Sequence, residues 1–212
     1  MTQPIHGVYA ITDPSLSPNQ QVFHDVECAL KGGTKIIQYR DKTSALSQQI
    51  QIAKQLKQLC SQYQALLIIN DSIEIALASD ADGIHLGKDD AALEQAREQL
   101  GADKIIGISC YNSIERAQQM QARGADYVAF GRFFPSKTKP EAPQADLSTL
   151  VQAKESLQIP IVVIGGITLD NASSLIEQGA DSIAVIQGIF AQSNIESASQ
   201  DLSNLFKAHK PL

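Results

Sequence analysis

Two aspartates follow the ends of two short apolar runs. The first run, residues 66–69, stops abruptly at Asn70-Asp71; the second, residues 83–86, gives way to Gly87 and reaches Asp90. Short apolar runs bounded by polar or turn residues read as buried parallel strands. Each run therefore delivers a carboxylate just past a strand's C-terminal end, and on neighbouring strands Asp71 and Asp90 can share one divalent cation. A hard ion held by two carboxylates that keeps several waters is how magnesium is presented to a phosphate-bearing substrate. Basic groups fall at comparable places: Arg40 and Lys42 after KIIQYR, Lys88 beside Asp90, and Lys137 and Lys139 within FPSKTKP. Taken singly, each has a plainer use. Asp71 and Asp90 precede helical segments and could be N-caps. Arg40 and Lys42 could be a solvated loop, and Gly165-Gly166 could serve only a tight turn. His85, inside an apolar strand, reads as a satisfied core histidine rather than a catalyst, and Cys110 as a packing residue. Their coincidence at one end of a fold is what argues for a site.

The elements that must position these groups alternate along the whole chain. Strands are predicted over 7–12, 35–40, 65–71, 83–87, 104–109, 127–131, 161–165 and 182–186. Helices are predicted over 18–31, 44–63, 93–100, 113–123, 146–157, 170–177 and 196–206, with a short one between the third and fourth strands. A Gly-Ala-Asp triplet joins helix to strand at 101–103, 124–126 and 179–181, with Asp80-Ala81-Asp82 as a variant. Glycine supplies the left-handed residue that stops a helix before a tight turn. Alternating strand–helix units with no linker imply one α/β domain, residues 1–212, built on a parallel sheet. Eight units in this length predict a closed (β/α)8 TIM barrel, with its site at the C-terminal ends of the strands. An open doubly wound sheet is the rival; no GxGxxG follows the first strand, which weakens a dinucleotide reading.

Composition bounds the partners. The formal charge of −6, with 43% hydrophobic and 19% charged residues, is that of a soluble globular chain. It argues against non-specific binding to nucleic acid or an anionic membrane, so phosphate must be met by a local basic cluster. Cys28, Cys60 and Cys110 lack metal-type spacing and read as reduced thiols of a cytoplasmic protein. The first residues lack a basic region followed by an apolar core, and no apolar run approaches the roughly 20 residues that span a bilayer.

If the strand ends share one mouth, it collects Gln38, Arg40, Asp41, Lys42, Asn70, Asp71, Gly87, Lys88, Asp89, Asp90 and Ser109. It also collects Ser136, Lys137, Thr138 and Lys139, the Gly165-Gly166 turn and Gln187-Gly188. Strand alternation turns Tyr39 the opposite way from Gln38 and Arg40. Such a mouth suits an electrophile carrying a diphosphate together with a second phosphorylated molecule. Metal and lysines can neutralise a departing diphosphate, while the glycine turns let backbone N–H groups approach a monophosphate. No Ser-His-Asp or Cys-His spacing points to covalent catalysis.

Seven segments, in order, are QYRDK (38–42), IIND (68–71), HLGKDD (85–90), GIS (107–109), PSKTKP (135–140), IGGIT (164–168) and VIQGIF (185–190). Together they resemble the thiamine-phosphate synthase family, over a span from Tyr9 to Phe206. The resemblance implies a magnesium-dependent barrel enzyme. It would couple 4-amino-2-methyl-5-pyrimidinylmethyl diphosphate to a thiazole ethyl phosphate, giving thiamine monophosphate and diphosphate. Carbon dioxide is also lost when the thiazole carries a carboxylate. It implies magnesium at Asp71 and Asp90, and the pyrimidine diphosphate at Gln38, Tyr39, Arg40, Asp41, Lys42, Asn70, Ser109 and Lys139. It implies the thiazole phosphate at Ser136, Lys137, Thr138, Gly166, Ile186 and Gln187, with Arg40, Lys42 and Lys139 serving catalysis. The chain departs from the family pattern at Lys88, where glutamine is usual, and at Cys110-Tyr111, where Thr-His is frequent. It departs also at Ser136, often threonine, and at Gln187-Gly188, often Ser-Ala. Two other readings stand beside the synthase: a thiazole tautomerase on the same scaffold, and a non-catalytic thiamine-phosphate binding protein. Retention of Arg40, Lys42, Asp71, Asp90 and Lys139 together favours the synthase.

Overall fold

The apolar runs become eight strands because each is hydrophobic on both faces, as a sheet covered on both sides requires. The computed structural model describes residues 5–87, 91–135 and 143–208. The strands are β1 (Gly7–Ile11), β2 (Ile36–Tyr39), β3 (Leu66–Asn70), β4 (Gly83–Leu86), β5 (Ile105–Tyr111), β6 (Tyr127–Phe130), β7 (Ile161–Ile164) and β8 (Ser182–Val185). Around them run α1 (Gln21–Lys31), α2 (Leu46–Gln62), α3 (Ile73–Ala78), α4 (Ala91–Leu100) and α5 (Ile114–Ala122). The remaining helices are α6 (Leu147–Ser156), α7 (Leu169–Glu177), α8 (Gln187–Phe190) and α9 (Ile195–Ala208). Every strand pairs in parallel with its sequence neighbours, and β1 pairs with β8, so the sheet closes into the expected barrel. The open-sheet alternative falls with that closing pair.

Strand alternation divides the core in two. Val8, Ala10, Ile37, Tyr39, Leu67, Ile69, Ile84 and Leu86 point outward, into the layer shared with the helices. Tyr9, Ile11, Ile36, Ile68, Tyr127, Val162 and Ala184 point inward and fill the lumen. Of the cysteines, Cys60 and Cys110 are buried, and none of the three is in a disulfide. Burial pushes the Cys60 thiol up to about 12, which keeps it an apolar packing group. No helix among the described residues is long and apolar enough to cross a membrane.

The triplet repeat proves to be a device for the N-terminal face of the barrel. Asp82, Asp126 and Asp181 each accept a hydrogen bond on a side-chain oxygen from the first turn of the preceding strand, at Leu67 N (2.8 Å), Ile106 N (2.7 Å) and Ile161 N (2.8 Å). Each also meets a cation from a helix: Lys57 (2.6 Å), Arg97 (2.6 Å) and Lys154 (2.8 Å). Asp103, the third residue of the remaining triplet, stays exposed. These contacts lie at the end opposite the mouth, so they hold strand register and not chemistry. Asp82→Ala is expected to cost about 1–3 kcal/mol of stability, because it strands the Leu67 N–H and Lys57 together. Urea denaturation reads that loss, and turnover at 25 °C should stay within twofold of the unmodified chain, about the scatter expected of a change remote from the site. An unchanged midpoint would show the aspartate to be idle.

Two boundaries differ from the sequence reading in ways that matter. β5 runs on to Tyr111 through a register shift between Ser109 and Tyr111. A one-turn helix, α8, follows β8 directly; the sequence reading ran strand into loop there.

Candidate active site

Polar residues at and just beyond the C-terminal ends of several strands meet at one rim. A cavity of about 300 Å³ opens there, and Gln38, Arg40, Asn70, Ser109, Gly166, Ile186 and Gln187 all line it. Each reaches it for a local reason. Gln38 and Asn70 are inward positions of β2 and β3, two residues beyond Ile36 and Ile68. Arg40 is held by its backbone: Thr12 Oγ1 accepts from Arg40 N at 3.0 Å and donates to Arg40 O at 3.4 Å. Ser109 and Tyr111, two residues apart on β5, both line the cavity, and Cys110 between them is buried; the register of β5 against β6 shifts at this point.

Asp71 stands just outside this lining. Its side chain is half exposed, 3.4 Å from Lys42 Nζ, and accepts from Asn70 Nδ2 at 2.7 Å. The capping reading does not hold for it, because Ser72 caps α3 by accepting from Ile75 N. Asp71 instead adopts a left-handed conformation, φ +62°, with its N–H bonded to His85 O at 2.9 Å. That conformation is uncommon for a residue with a side chain, though less so for aspartate, and such outliers gather at functional sites. A Cβ added at Gly87 would lie 3.8 Å from Asp71 Oδ1, so the carboxylate faces the end of β4. Asp90, three residues beyond Gly87, lies outside the described residues, as do Lys88, Ser136, Lys137, Thr138 and Lys139. The donor set at Asp71, hard oxygens half open to water, fits magnesium.

Two residues expected on the pyrimidine side are placed elsewhere. Tyr39 points outward into the helix layer and borders a smaller cavity of about 130 Å³, not the mouth. Burial, together with the carboxylate of Asp41, pushes its hydroxyl pKa well up, so it stays neutral. Asp41 borders the same small cavity and binds Thr43 N and Oγ1, both at 2.8 Å, and Ser44 N at 3.1 Å. Burial pushes its carboxyl up, but the hydrogen bonds from Ser44 and Thr43 outweigh that and hold it below the usual range. It shapes the loop after β2.

The turn after β7 is built around glycine. Gly165 (φ +107°) and Gly166 (φ +65°) lie against the segment that follows β6, and Phe133 N and Phe134 N donate to Ile164 O and Gly165 O at 3.1 and 3.0 Å. A side chain on Gly166 would collide with the carbonyl of Pro135 and come within 2.8 Å of Phe134 Cβ. Asn171 in α7 fastens this turn, donating to Gly166 O at 3.0 Å and accepting from Thr168 N at 2.9 Å. Pro135 and Thr168 both line the cavity.

Sequence reasoning missed the polar groups of the lumen. His85 is a satisfied histidine, as read, yet it lines the cavity, bonded through Nδ1 to Tyr127 Oη and through Nε2 to Ser109 Oγ, both 2.9 Å. Tyr127 Oη meets Tyr9 Oη at 2.9 Å, and Gln38 Nε2 donates to Tyr9 Oη at 2.7 Å. Glycine at 107 was the available signal: inside a strand it marks a close approach, and here the ring of Tyr127 occupies the place of its side chain. Arg116 of α5 was missed too; its Nε donates to Ser109 O at 3.0 Å and its Nη2 to Gly87 O at 3.3 Å, tying the ends of β4 and β5 together.

A family model described as thiamine monophosphate synthase matches residues 8–189. The chain belongs to the thiamine monophosphate synthase family. A thiamine-phosphate synthase of Alcanivorax borkumensis is 46% identical over 209 residues, which is 97% of this chain and 96% of that one. Another, from Nitrosococcus oceani, is 49% identical over 199 residues, covering 94% and 92% of the two chains. The solved thiamine phosphate pyrophosphorylase of Pyrococcus furiosus superposes with a TM-score of 0.87 at 37% identity, over 95% of this chain and 96% of its own. The resemblance carried by the seven segments is thus borne out, and with it the assignment of the chain as an enzyme, a transferase of thiamine biosynthesis that forms thiamine phosphate.

Proposed function

We propose that this mouth joins 4-amino-2-methyl-5-pyrimidinylmethyl diphosphate to the thiazole ethyl phosphate, or its carboxylated form, and that the two substrates divide the cavity between them. One observation carries the division. Gln38, Asn70 and Ser109 reach the cavity from β2, β3 and β5, while Gly166, Ile186 and Gln187 reach it from the ends of β7 and β8. Loops after the seventh and eighth strands, with a short extra helix, are where barrels commonly hold phosphate. The Gly165-Gly166 turn and α8 supply those parts.

In this reading Gln38, Asn70 and Ser109 hold the aminopyrimidine ring. Arg40 and Lys42, with Lys139, meet the diphosphate; Tyr39 and Asp41 contribute by shaping the loop that carries Arg40 and Lys42. Ser136, Lys137 and Thr138 join Gly166, Ile186 and Gln187 around the thiazole phosphate. Asp71 and Asp90 would hold magnesium, which when bound supplies positive charge beside the diphosphate oxygens. The chain's own cations stabilise charge as the carbon–oxygen bond breaks ahead of carbon–nitrogen bond formation. The apolar lumen wall excludes water from the carbon so exposed, and the thiazole nitrogen, already positioned, closes the new bond. Residues 1–212 then act as one catalytic domain on small-molecule substrates.

Incubation with both substrates and magnesium is expected to yield thiamine phosphate and diphosphate in equal amounts, and excess chelator should abolish both. Isomerisation of the thiazole without diphosphate release would favour the tautomerase instead. Undiminished coupling in chelator would remove the metal from Asp71 and Asp90.

A further inference from the structure

The hydrogen bonds behind the cavity form a single line across the lumen: Gln38, Tyr9, Tyr127, His85, Ser109. Gln38, Tyr9, His85 and Ser109 all line the cavity, and Tyr127, between Tyr9 and His85, is fully buried in the barrel interior. One proton order satisfies every member of the line. In it Tyr9 accepts from Gln38 Nε2 and gives its one proton to Tyr127. Tyr127 then sends its own proton to His85 Nδ1, which leaves the imidazole proton on Nε2 facing Ser109 Oγ. Ser109 accepts there, so its hydroxyl proton is free to point onward. Gln38, with its N–H committed inward, keeps its carbonyl oxygen for the cavity.

We propose that Tyr9, Tyr127 and His85 are positioning residues that fix Gln38 as a hydrogen-bond acceptor and Ser109 as a donor, so that the site selects an aminopyrimidine over an oxopyrimidine. The inference rests on the reading that these two residues hold the pyrimidine ring. The exocyclic amino group of the substrate donates and its ring nitrogens accept, which matches the two fixed ends. An oxo group in its place accepts, and the ring nitrogen beside it then carries a proton, so the same edge meets the wrong partners. An unaided glutamine could answer by turning its amide over, and an unaided serine by rotating its hydroxyl. Here both are held, and buried networks whose members are all satisfied impose one arrangement. Burial raises the pKa of both phenols, so each remains a neutral hydroxyl that both gives and takes a proton. The absence of a side chain at Gly107 gives Tyr127 the room to reach across the lumen, which apolar packing alone would not need.

The test is the ratio of kcat/KM for the 4-amino and 4-oxo pyrimidinylmethyl diphosphates, measured in the unmodified enzyme, Tyr127→Phe and Tyr9→Phe. Sites that hydrogen-bond a substrate group reject the analogue lacking it by about 10⁴-fold, so a strong amino preference is expected in the unmodified enzyme. Either variant should lower that ratio about tenfold or more, with the KM of the thiazole phosphate unchanged. Should Tyr127→Phe fail to fold, as circular dichroism would show, Tyr9→Phe still releases Gln38 and decides the matter. A lower kcat/KM for the amino substrate with an unchanged ratio would show that the phenols only fill the lumen. If the unmodified enzyme couples neither pyrimidine, the reading of the mouth fails and the relay with it; coupling with an unaltered ratio in both variants sinks the relay alone.

Discussion

Asp71→Ala is expected to lower kcat/KM for coupling about 10³-fold, the scale on which preorganised electrostatic stabilisation of a departing group acts. The side chain is half exposed and next to Lys42, so its removal takes no core packing with it. Its backbone is the complication. At φ +62° an alanine carries a conformational cost of about 1–2 kcal/mol that has nothing to do with charge. Asp71→Asn separates the two, since asparagine tolerates that conformation yet removes the negative charge. If the carboxylate acts through a cation, Asn and Ala variants lose rate alike and both need far more magnesium for half-maximal velocity. Lys88→Gln, which restores the usual family residue, should change kcat/KM by less than about tenfold, the smaller scale of a single charge that holds no metal. Equal losses at positions 71 and 88 would mean that the mouth has been misread. A near-normal Asp71→Asn would assign the residue to the turn alone.

The barrel was legible because its signal is redundant. Eight apolar runs, each followed by a helical stretch and several closed by a glycine, leave little freedom in topology once the sheet is parallel. The residues at strand ends were legible for a related reason: any one polar group there has a structural use, but a parallel barrel gathers all of them at one end. What stayed hidden depends on facing and not on type. In strands buried on both sides, Tyr9 and Tyr127 look the same as Tyr39, yet two point into the lumen and one toward the helices. Alternation from Gln38 and Arg40 settles Tyr39, but only a register between strands brings Tyr9, Tyr127 and His85 together. The bulge in β5 could not be read at all, because one extra residue leaves no mark on composition. Asp71 misled in another way: the chain does place a cap before α3, but on Ser72, one residue later.

Gly166→Ala should damage catalysis, with kcat/KM falling about 10²-fold, the scale associated with misplacing a reacting group by an ångström. Two costs coincide at this position. The backbone lies at φ +65°, and the new methyl would run into the carbonyl of Pro135 and approach Phe134 Cβ to 2.8 Å. Neither obstacle is the tip of a flexible side chain. Relief must move the backbone of 134–135, the stretch that leads directly into Ser136–Lys139, or unfasten the turn that Asn171 holds. Gly124→Ala provides the comparison, since its φ is +90° with nothing within 4 Å of the added carbon. It should cost about 1–2 kcal/mol of stability and leave kinetics untouched. The KM of the thiazole phosphate is expected to rise in Gly166→Ala and not in Gly124→Ala. If both variants merely melt earlier and turn over alike, the glycine at 166 serves the chain's path, and the thiazole phosphate must be held elsewhere in the mouth.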